Sequence, residues 1–272
     1  MAEEPVGLFG LGLLGSAIAD RLTAAGRPWL GYDPARPDLA PSPDAVCQQA
    51  RSLILCLPDS GVTAAILPAI PASANILDTT TGDPAQMARF ALTHPNYLDV
   101  TIGGSSAHLR AGQAILMCGA TPDGFAAALP LLQLLSPRVF HCGPPGAGAR
   151  MKLVFNLVLG LNRAALAEGL AFAEHTGLPL DLTLEVLQAG PAASAIMERK
   201  GPKMIRREYS PEARLAQHHK DVRLILAAAA GLRLPLSQAH DQILSRAEAL
   251  GHAASDNSAL IEAYRSDSVD ER

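Results

Sequence analysis

The sequence predicts an α/β fold: a doubly wound sheet over residues 1–146, then an all-helical unit over residues 147–272, joined by one long helix. Three observations predict it. Short apolar runs alternate with helix-length segments up to about residue 142, the strand pattern stops after residue 146, and a proline-free apolar stretch of helical period follows at once. Runs that are apolar on both faces and separated by helix-length segments imply a parallel sheet covered on both sides.

In chain order the predicted strands are "VGLFG", "PWLGYD", "SLILCL", "NILDTT", "YLDVTI", "AILMCG" and "RVFHCG", with helices between most of them. From Gly148 to about Thr176 apolar residues recur at helical spacing without a proline. At 1.5 Å per residue that helix is about 40 Å long, more than one unit of this size needs, so it is expected to bridge two domains. Farther on, "SPEARLAQHHKDVRLILAAAA" opens with Ser210 as N-cap and Pro211 at the first helical position, and "DNSALIEAY" starts with Asp256 as a cap. Only the closing "SDSVDER" is expected to be disordered.

At 272 residues the chain can bury roughly three quarters of its unfolded surface, enough for a real core. A net charge of −4 without a basic stripe argues against a nucleic-acid partner. The acidic start "MAEEP" is unlike a signal peptide, and the apolar runs are expected to break at proline or charge before spanning length, so a cytoplasmic protein without a membrane partner is predicted. Cys47, Cys56, Cys118 and Cys142 show no metal-ligand spacing and are read as buried small hydrophobes. His218 and His219 are adjacent, hence about 100° apart on a helix; they are read as surface residues, and no metal is expected.

The strand "PVGLFG" runs directly into Gly10-Leu11-Gly12-Leu13-Leu14-Gly15 and then a helical pattern, which is G-x-G-x-x-G in the strand-turn-helix setting that dinucleotide binding requires. Gly10 permits the tight turn, Gly12 the approach of a pyrophosphate, and Gly15 close packing of helix on strand. The helix N-terminus offers unpaired N–H groups to the phosphates. Asp33 ends the next strand, where a carboxylate accepts from the adenosine ribose hydroxyls and repels a 2′-phosphate. A Rossmann-type unit preferring NAD over NADP follows, with Arg36 as the residue able to turn toward a phosphate.

Lys152 and Asn156, four apart on the long helix, project from one face one turn apart. An amine and an amide on an apolar face either snorkel to water or line a cleft between packed domains, and periodicity alone leaves both open.

Several segments, in order, resemble the β-hydroxyacid dehydrogenase family, which includes 3-hydroxyisobutyrate dehydrogenase, tartronate semialdehyde reductase and the longer 6-phosphogluconate dehydrogenase. "GLFGLGLLGSAIADRLTAAG" is similar to the family's opening G-x-G-x-M-G loop and helix, with Leu14 where methionine is usual. "LCLPDSGVTAAIL" resembles its strand-end Leu-Pro segment, "LDTTTGDP" its D-x-S-T-x-x-P, "HKDVRLIL" its K-D-x-x-L helix, and "GHAASDNSALIEAY" its ending. The most specific likeness is "GPPGAGARMKLVFN", similar to the G-x-x-G-x-G-x-x-x-K-x-x-x-N signature that carries the catalytic lysine and its neighbouring asparagine. "DVTIGGSSAHLRAG" departs from the family's D-A-P-V-S-G-G: Asp99, Gly104 and Gly112 are in register, but Gly103 stands for the serine, Ser105 for the second glycine, and Val100-Thr101 for Ala-Pro. Phe155 stands where some members have a second asparagine.

The resemblance implies reversible hydride transfer between NAD or NADP and a small 3-hydroxy acid or its semialdehyde, with Lys152 as general acid/base and Asn156 orienting the substrate. An ordinary lysine, near 10.4, suits a proton donor in the reducing direction. It further implies that Leu57, Pro58 and Thr81 lie beside the nicotinamide end. The N–H groups of Gly103, Gly104 and Ser105 would form an anion nest for the substrate carboxylate, a hydroxyl of Ser105 or Ser106 replacing the missing serine. Lys220 would touch cofactor or carboxylate from the later helix, Asp221 would fix that helix or a partner, and Glu168 is read as a buried structural carboxylate or a dimer contact. An imine reductase of the same fold and a non-catalytic dinucleotide-binding module are the alternatives. The apolar carboxy-terminal helices predict a homodimer or homotetramer.

Overall fold

The computed structural model describes residues 4–36 and 38–265; the terminal "SDSVDER" lies outside them. The chain forms two compact units that divide between Lys152 and Leu153.

The first unit contains all seven predicted strands: β1 (Val6–Phe9), β2 (Trp29–Tyr32), β3 (Ser52–Leu55), β4 (Asn75–Asp78), β5 (Tyr97–Gly103), β6 (Ile115–Gly119) and β7 (Val139–Gly143). Between them run α1 (Leu13–Ala24), α2 (Pro43–Cys47), α3 (Ser60–Ile66), α4 (Pro84–Thr93), α5 (Ser106–Arg110) and α6 (Pro122–Leu135). The strand order is β2-β1-β3-β4-β5-β6-β7. Because the chain leaves β1 to one side for β2 and crosses to the other for β3, the order reverses at the carboxyl end of β1, where such sheets bind ligands. Side chains alternate between two cores: Val6, Leu8, Ile54, Leu77, Leu98, Val100 and Ile102 on one face, and Phe9, Leu53, Leu55, Ile76 and Tyr97 on the other.

The sheet is not parallel throughout. β6 runs antiparallel to β5, pairing Asp99 with Gly119 and Gly103 with Ile115. Residues 104–114 hold only the five-residue α5, too short for a crossover that would return the chain parallel.

The long helix α7 (Ala147–His175) has 29 residues and ends within a residue of its predicted bounds. By length and composition it is apolar enough to span a membrane, contrary to the expected interruption of every apolar run. Ala164, Leu166, Ala167 and Leu170 on it enter the core of the second unit. That unit continues with α8 (Leu180–Ala189), α9 (Ile196–Arg206), α10 (Leu215–Ala228), α11 (Pro235–Ala247), a π turn over Glu248–His252, a 3₁₀ turn over Asn257–Ile261 and α12 (Glu262–Arg265).

Asp256 caps the 3₁₀ turn as expected, accepting from Ser258 N–H. The same carboxylate displaces the predicted start of α10. Glu212 and Ala213 donate their N–H groups to Asp256 Oδ2 at 3.0 and 3.3 Å, and Arg214 bridges to Asp256, which holds this segment out of the helix. Ser210 instead receives Lys203 Nζ, and the helix begins five residues later, at Leu215.

Three further readings change with the tertiary structure. His218 and His219 are buried rather than on the surface; the His219 ring lies between Asp241 Oδ1 (2.9 Å) and Glu248 Oε2 (3.0 Å), carboxylates supplied by α11 and the turn after it. Glu168 is exposed, which removes the buried-carboxylate alternative of its two readings. Of the four cysteines, all free, only Cys118 is buried and the others are partly exposed.

Candidate active site

The glycine loop separates into two kinds of position. Gly10 has φ +88°, and a Cβ there would lie 2.3 Å from Cys56 O; a Cβ on Gly15 would lie 1.9 Å from Gly10 O. These two glycines are required by the chain's own packing. A Cβ on Gly12 would meet nothing within 4 Å, so that position leaves open space at the start of α1. The first turn of α1 has no side-chain cap and no acidic residue, which keeps its N–H groups and positive dipole end available to an anion. Leu11 is buried in the core, Leu13 is exposed and Leu14 packs at the core's edge.

Asp33, just past β2, turns back onto this loop: Leu11 N–H donates to Oδ2 at 2.6 Å and Ala35 N–H to Oδ1 at 2.8 Å. Arg36 does not face the loop alone, for its Nε and Nη2 grip both oxygens of Asp38 at 2.9 and 2.8 Å.

Beyond β3 and β4 the backbone is set by threonines. Leu57 N–H donates to Thr80 Oγ1 at 3.1 Å, and Thr79 Oγ1 donates to Leu55 O at 2.7 Å. Asp78 anchors this corner by accepting from Thr80 N–H and Tyr97 Oη, and burial raises its carboxyl above the usual range. Pro58 follows Leu57 on the exposed side, and Thr81 is partly buried after Thr80.

The start of α7 meets the sheet through two glycines. A Cβ on Gly148 would lie 2.6 Å from Asp99 O and 2.5 Å from Met117 O, and one on Gly119 would lie 2.4 Å from Asp99 Oδ1. With neither present, the Asp99 carboxylate caps the helix, accepting from Gly146 N–H at 2.6 Å and Ala149 N–H at 2.7 Å, while Thr101 Oγ1 donates to Gly148 O at 3.0 Å. Burial pushes the Asp99 carboxyl up to about 6 against the pull of those two donors. Lys152, one turn beyond Gly148, projects from the same face. Its buried ammonium donates to Ile102 O at 2.5 Å, one residue before Gly103.

The segment after β5 partly satisfies itself. Gly104 has φ +124°. Ser105 caps α5, its N–H donating to His108 Nδ1 at 3.2 Å and its hydroxyl accepting from His108 N–H at 3.4 Å. The Ser105 amide and hydroxyl are thus held by His108, whereas Ser106 opens the helix as its first residue.

In the second unit, Asn156 is buried and its Nδ2 donates to Asp221 Oδ2 at 2.8 Å. Asp221 Oδ1 in turn lies 3.3 Å from Lys220 Nζ. The amide is therefore oriented by a carboxylate on α10, and Lys220 shares that carboxylate. Among the described residues no group of three or more His, Cys, Asp or Glu is placed to hold a metal ion.

Comparison with known proteins agrees with this fold. Residues 5–143 match the family described as the NAD binding domain of 6-phosphogluconate dehydrogenase, and residues 146–264 match NAD-binding of NADP-dependent 3-hydroxyisobutyrate dehydrogenase. The chain belongs to the β-hydroxyacid dehydrogenase family. This family member is an NAD(P)-dependent oxidoreductase of the hydroxyacid dehydrogenase and semialdehyde reductase class. It is 28% identical to 2-hydroxy-3-oxopropionate reductase of Escherichia coli, over 95% of this chain and 96% of that one. It is 32% identical to glyoxylate/succinic semialdehyde reductase 1 of Arabidopsis thaliana, where the match spans 62% of this chain and 59% of the plant protein. The fold is that of a 3-hydroxyisobutyrate dehydrogenase from Salmonella typhimurium, with a TM-score of 0.85 at 23% identity, covering 96% of this chain and 99% of that one.

Within this dehydrogenase fold, Gly10 to Gly15, Asp33, Leu57, Pro58, Thr81, Gly103 to Ser106 and Lys152 all fall in the first unit, and Asn156 and Lys220 in the second. The structure brings Lys152 to the end of β5 and Asn156 to Asp221. Sequence reasoning missed Ile102 as the anchor of the lysine, His108 as the partner of Ser105, and Thr80 as the group holding Leu57. The only available signal was a weak one, the S-x-x-H spacing of Ser105 and His108, which places the ring over its own cap.

Proposed function

We propose that this chain interconverts a small semialdehyde and its 3-hydroxy acid, with Lys152 as general acid/base and NAD(H) as the preferred cofactor. One observation carries the reading: the buried Lys152 ammonium is fastened to Ile102 O, immediately before the Gly103-Gly104 turn. An ammonium has three donors, and a fixed anchor for one of them sets the direction of the others. In the reducing direction Lys152 gives a proton to the carbonyl oxygen; in the oxidising direction it accepts the hydroxyl proton. NAD(H), when bound, supplies or takes the hydride.

The Gly12 opening at the start of α1 suits the cofactor's pyrophosphate. Asp33 favours ribose hydroxyls over a 2′-phosphate, and Arg36, the residue able to turn toward one, is engaged by Asp38. Leu57, Pro58 and Thr81 are assigned to the nicotinamide end, and Lys220 to cofactor or substrate. Gly103, Gly104 and the Ser106 side are assigned to the substrate carboxylate, since Ser105 is occupied by His108. Asn156, whose amide donates to Asp221, is assigned to orienting the substrate.

On this reading residues 1–146 bind the dinucleotide, and residues 147–272 complete the substrate side and mediate self-association. Exposed Val154, Val158 and Phe172 on α7 and Leu182 and Val186 on α8 support a dimer or tetramer. Four free cysteines suit a reducing cytoplasm. The test is a screen of small semialdehydes, 3-hydroxy acids and a cyclic imine with NADH and NADPH. Turnover of a semialdehyde supports the assignment; turnover of the imine alone, or cofactor binding without any turnover, rejects it.

A further inference from the structure

Arg163, on α7 two turns beyond Asn156, is 1% exposed. Its Nε and Nη2 have no hydrogen-bond partner among the described residues. These two nitrogens form the side-on edge of the guanidinium, the same edge with which Arg36 grips the two oxygens of Asp38. The carboxylate that favours the Arg163 charge is Asp256. That carboxylate is already saturated: Lys200 Nζ donates to both oxygens at 2.8 Å, Ser258 N–H and Oγ donate to Oδ1, and Glu212 N–H donates to Oδ2.

A second orphan lies on the same helix face. A Cβ on Gly160, one turn before Arg163, would lie 2.7 Å from His240 Cε1 and 2.6 Å from His218 Nε2, so both rings sit directly on this face. His240 is 2% exposed, and its Nε2 has no partner among the described residues. Burial and the neighbouring Arg163 hold this ring down to about 4, so at neutral pH it is uncharged and can offer one N–H.

The charges around the site do not balance. Arg163 and Lys200 are both buried, and among the described residues the buried carboxylate that acts on both is Asp256. Glu212, 3.5 Å from Lys200, is partly exposed and also serves Arg199 and Lys203. A buried cation with unpaired donors calls for an acceptor.

We infer that Arg163 and His240 form an enclosed binding site in the helical unit for a small planar oxyanion of the carboxylate or nitrate class. Two oxygens of such an anion meet the Nε and Nη2 edge, and His240 donates to the anion. The site is separate from the proposed hydride-transfer chemistry and stands whether or not that reading holds.

The test is the melting temperature of the full chain as sodium formate or sodium nitrate is raised, with ionic strength held constant by sodium gluconate, whose anion is bulky and non-planar. A rise of about 3 °C at saturating anion is expected, with one site per chain by titration calorimetry. Both responses should vanish in Arg163→Met, and His240→Phe should weaken formate binding at least about tenfold. Arg163→Met removes a buried charge with two idle donors, so it should fold and melt no lower than the parent in formate-free buffer. Formate or nitrate bound elsewhere, for example where a substrate carboxylate would sit, would still respond in Arg163→Met. A response that persists in that variant overturns the proposal, as does a parent protein that neither binds these anions nor melts later with them.

Discussion

The Lys152 ammonium donates to the Ile102 carbonyl across 2.5 Å, which ties the first turns of the long helix to the end of β5. The link depends on Gly148, which lets the helix backbone touch Asp99 and Met117 one turn earlier. Lys152→Ala is expected to lower turnover by about 10²-fold or more, the usual loss for a general acid/base, with NAD(H) affinity nearly unchanged. Steady-state kinetics beside a fluorescence titration of NADH check both halves; near-normal turnover removes the lysine from the mechanism.

Gly10 and Gly12 stand two residues apart and should fail differently. Gly10→Ala meets Cys56 O at 2.3 Å from a φ of +88°, so a loss of about 2 kcal/mol or more of stability is expected. Gly12→Ala points into open space and should melt within a degree or so of the parent while binding NADH at least about tenfold more weakly. Denaturant melts and cofactor titrations of the two variants decide the matter. Equal losses of stability would mean that Gly12 has no special tie to the cofactor.

Asp33 accepts from Leu11 N–H at 2.6 Å and therefore sits against the loop that takes the pyrophosphate. The parent should bind NADH more tightly than NADPH. Asp33→Asn should narrow that preference by at least about tenfold, because it removes the charge that repels a 2′-phosphate. Tighter NADPH binding by the parent would reverse the cofactor assignment.

The Lys200 ammonium and the backbone and hydroxyl donors around Asp256 hold its carboxyl at about 2, below its ordinary 3.8, despite its burial. A depressed carboxylate contributes stability above its unfolded value and loses it as pH falls through its folded value. About 2 kcal/mol should therefore be lost between roughly pH 4 and pH 2. Urea melts across that window should show the loss in the parent and a flatter acid limb in Asp256→Asn. A parent whose stability is level from pH 4 to pH 2 would contradict the assignment.

Much of the architecture was legible because its signals are local. The seven strands are short apolar runs and the long helix carries its own period, so these elements appear where periodicity puts them. The glycine loop was legible for the same reason: turn, close approach and helix start lie within six residues. Two of the exceptions share one cause, a partner distant in the chain. Ser210 looked like a helix cap, but Asp256 captured the next amides and moved the start to Leu215. His218 and His219 looked like surface residues, but both are buried, and Asp241 and Glu248 from α11 and its following turn partner the His219 ring.

The sequence by itself determined the alternation of strand and helix, the dinucleotide loop, and the placing of an amine and an amide one turn apart on a long helix. Only the tertiary structure decided that Ile102 holds the amine, that Asp221 holds the amide, and that Arg163 is buried with two idle donors. The physical reason is range. Backbone propensity and side-chain period act over a few residues and are written in every window of the chain. A hydrogen bond from Lys152 to Ile102 joins groups fifty residues apart, and its existence depends on how the intervening strands and turns pack.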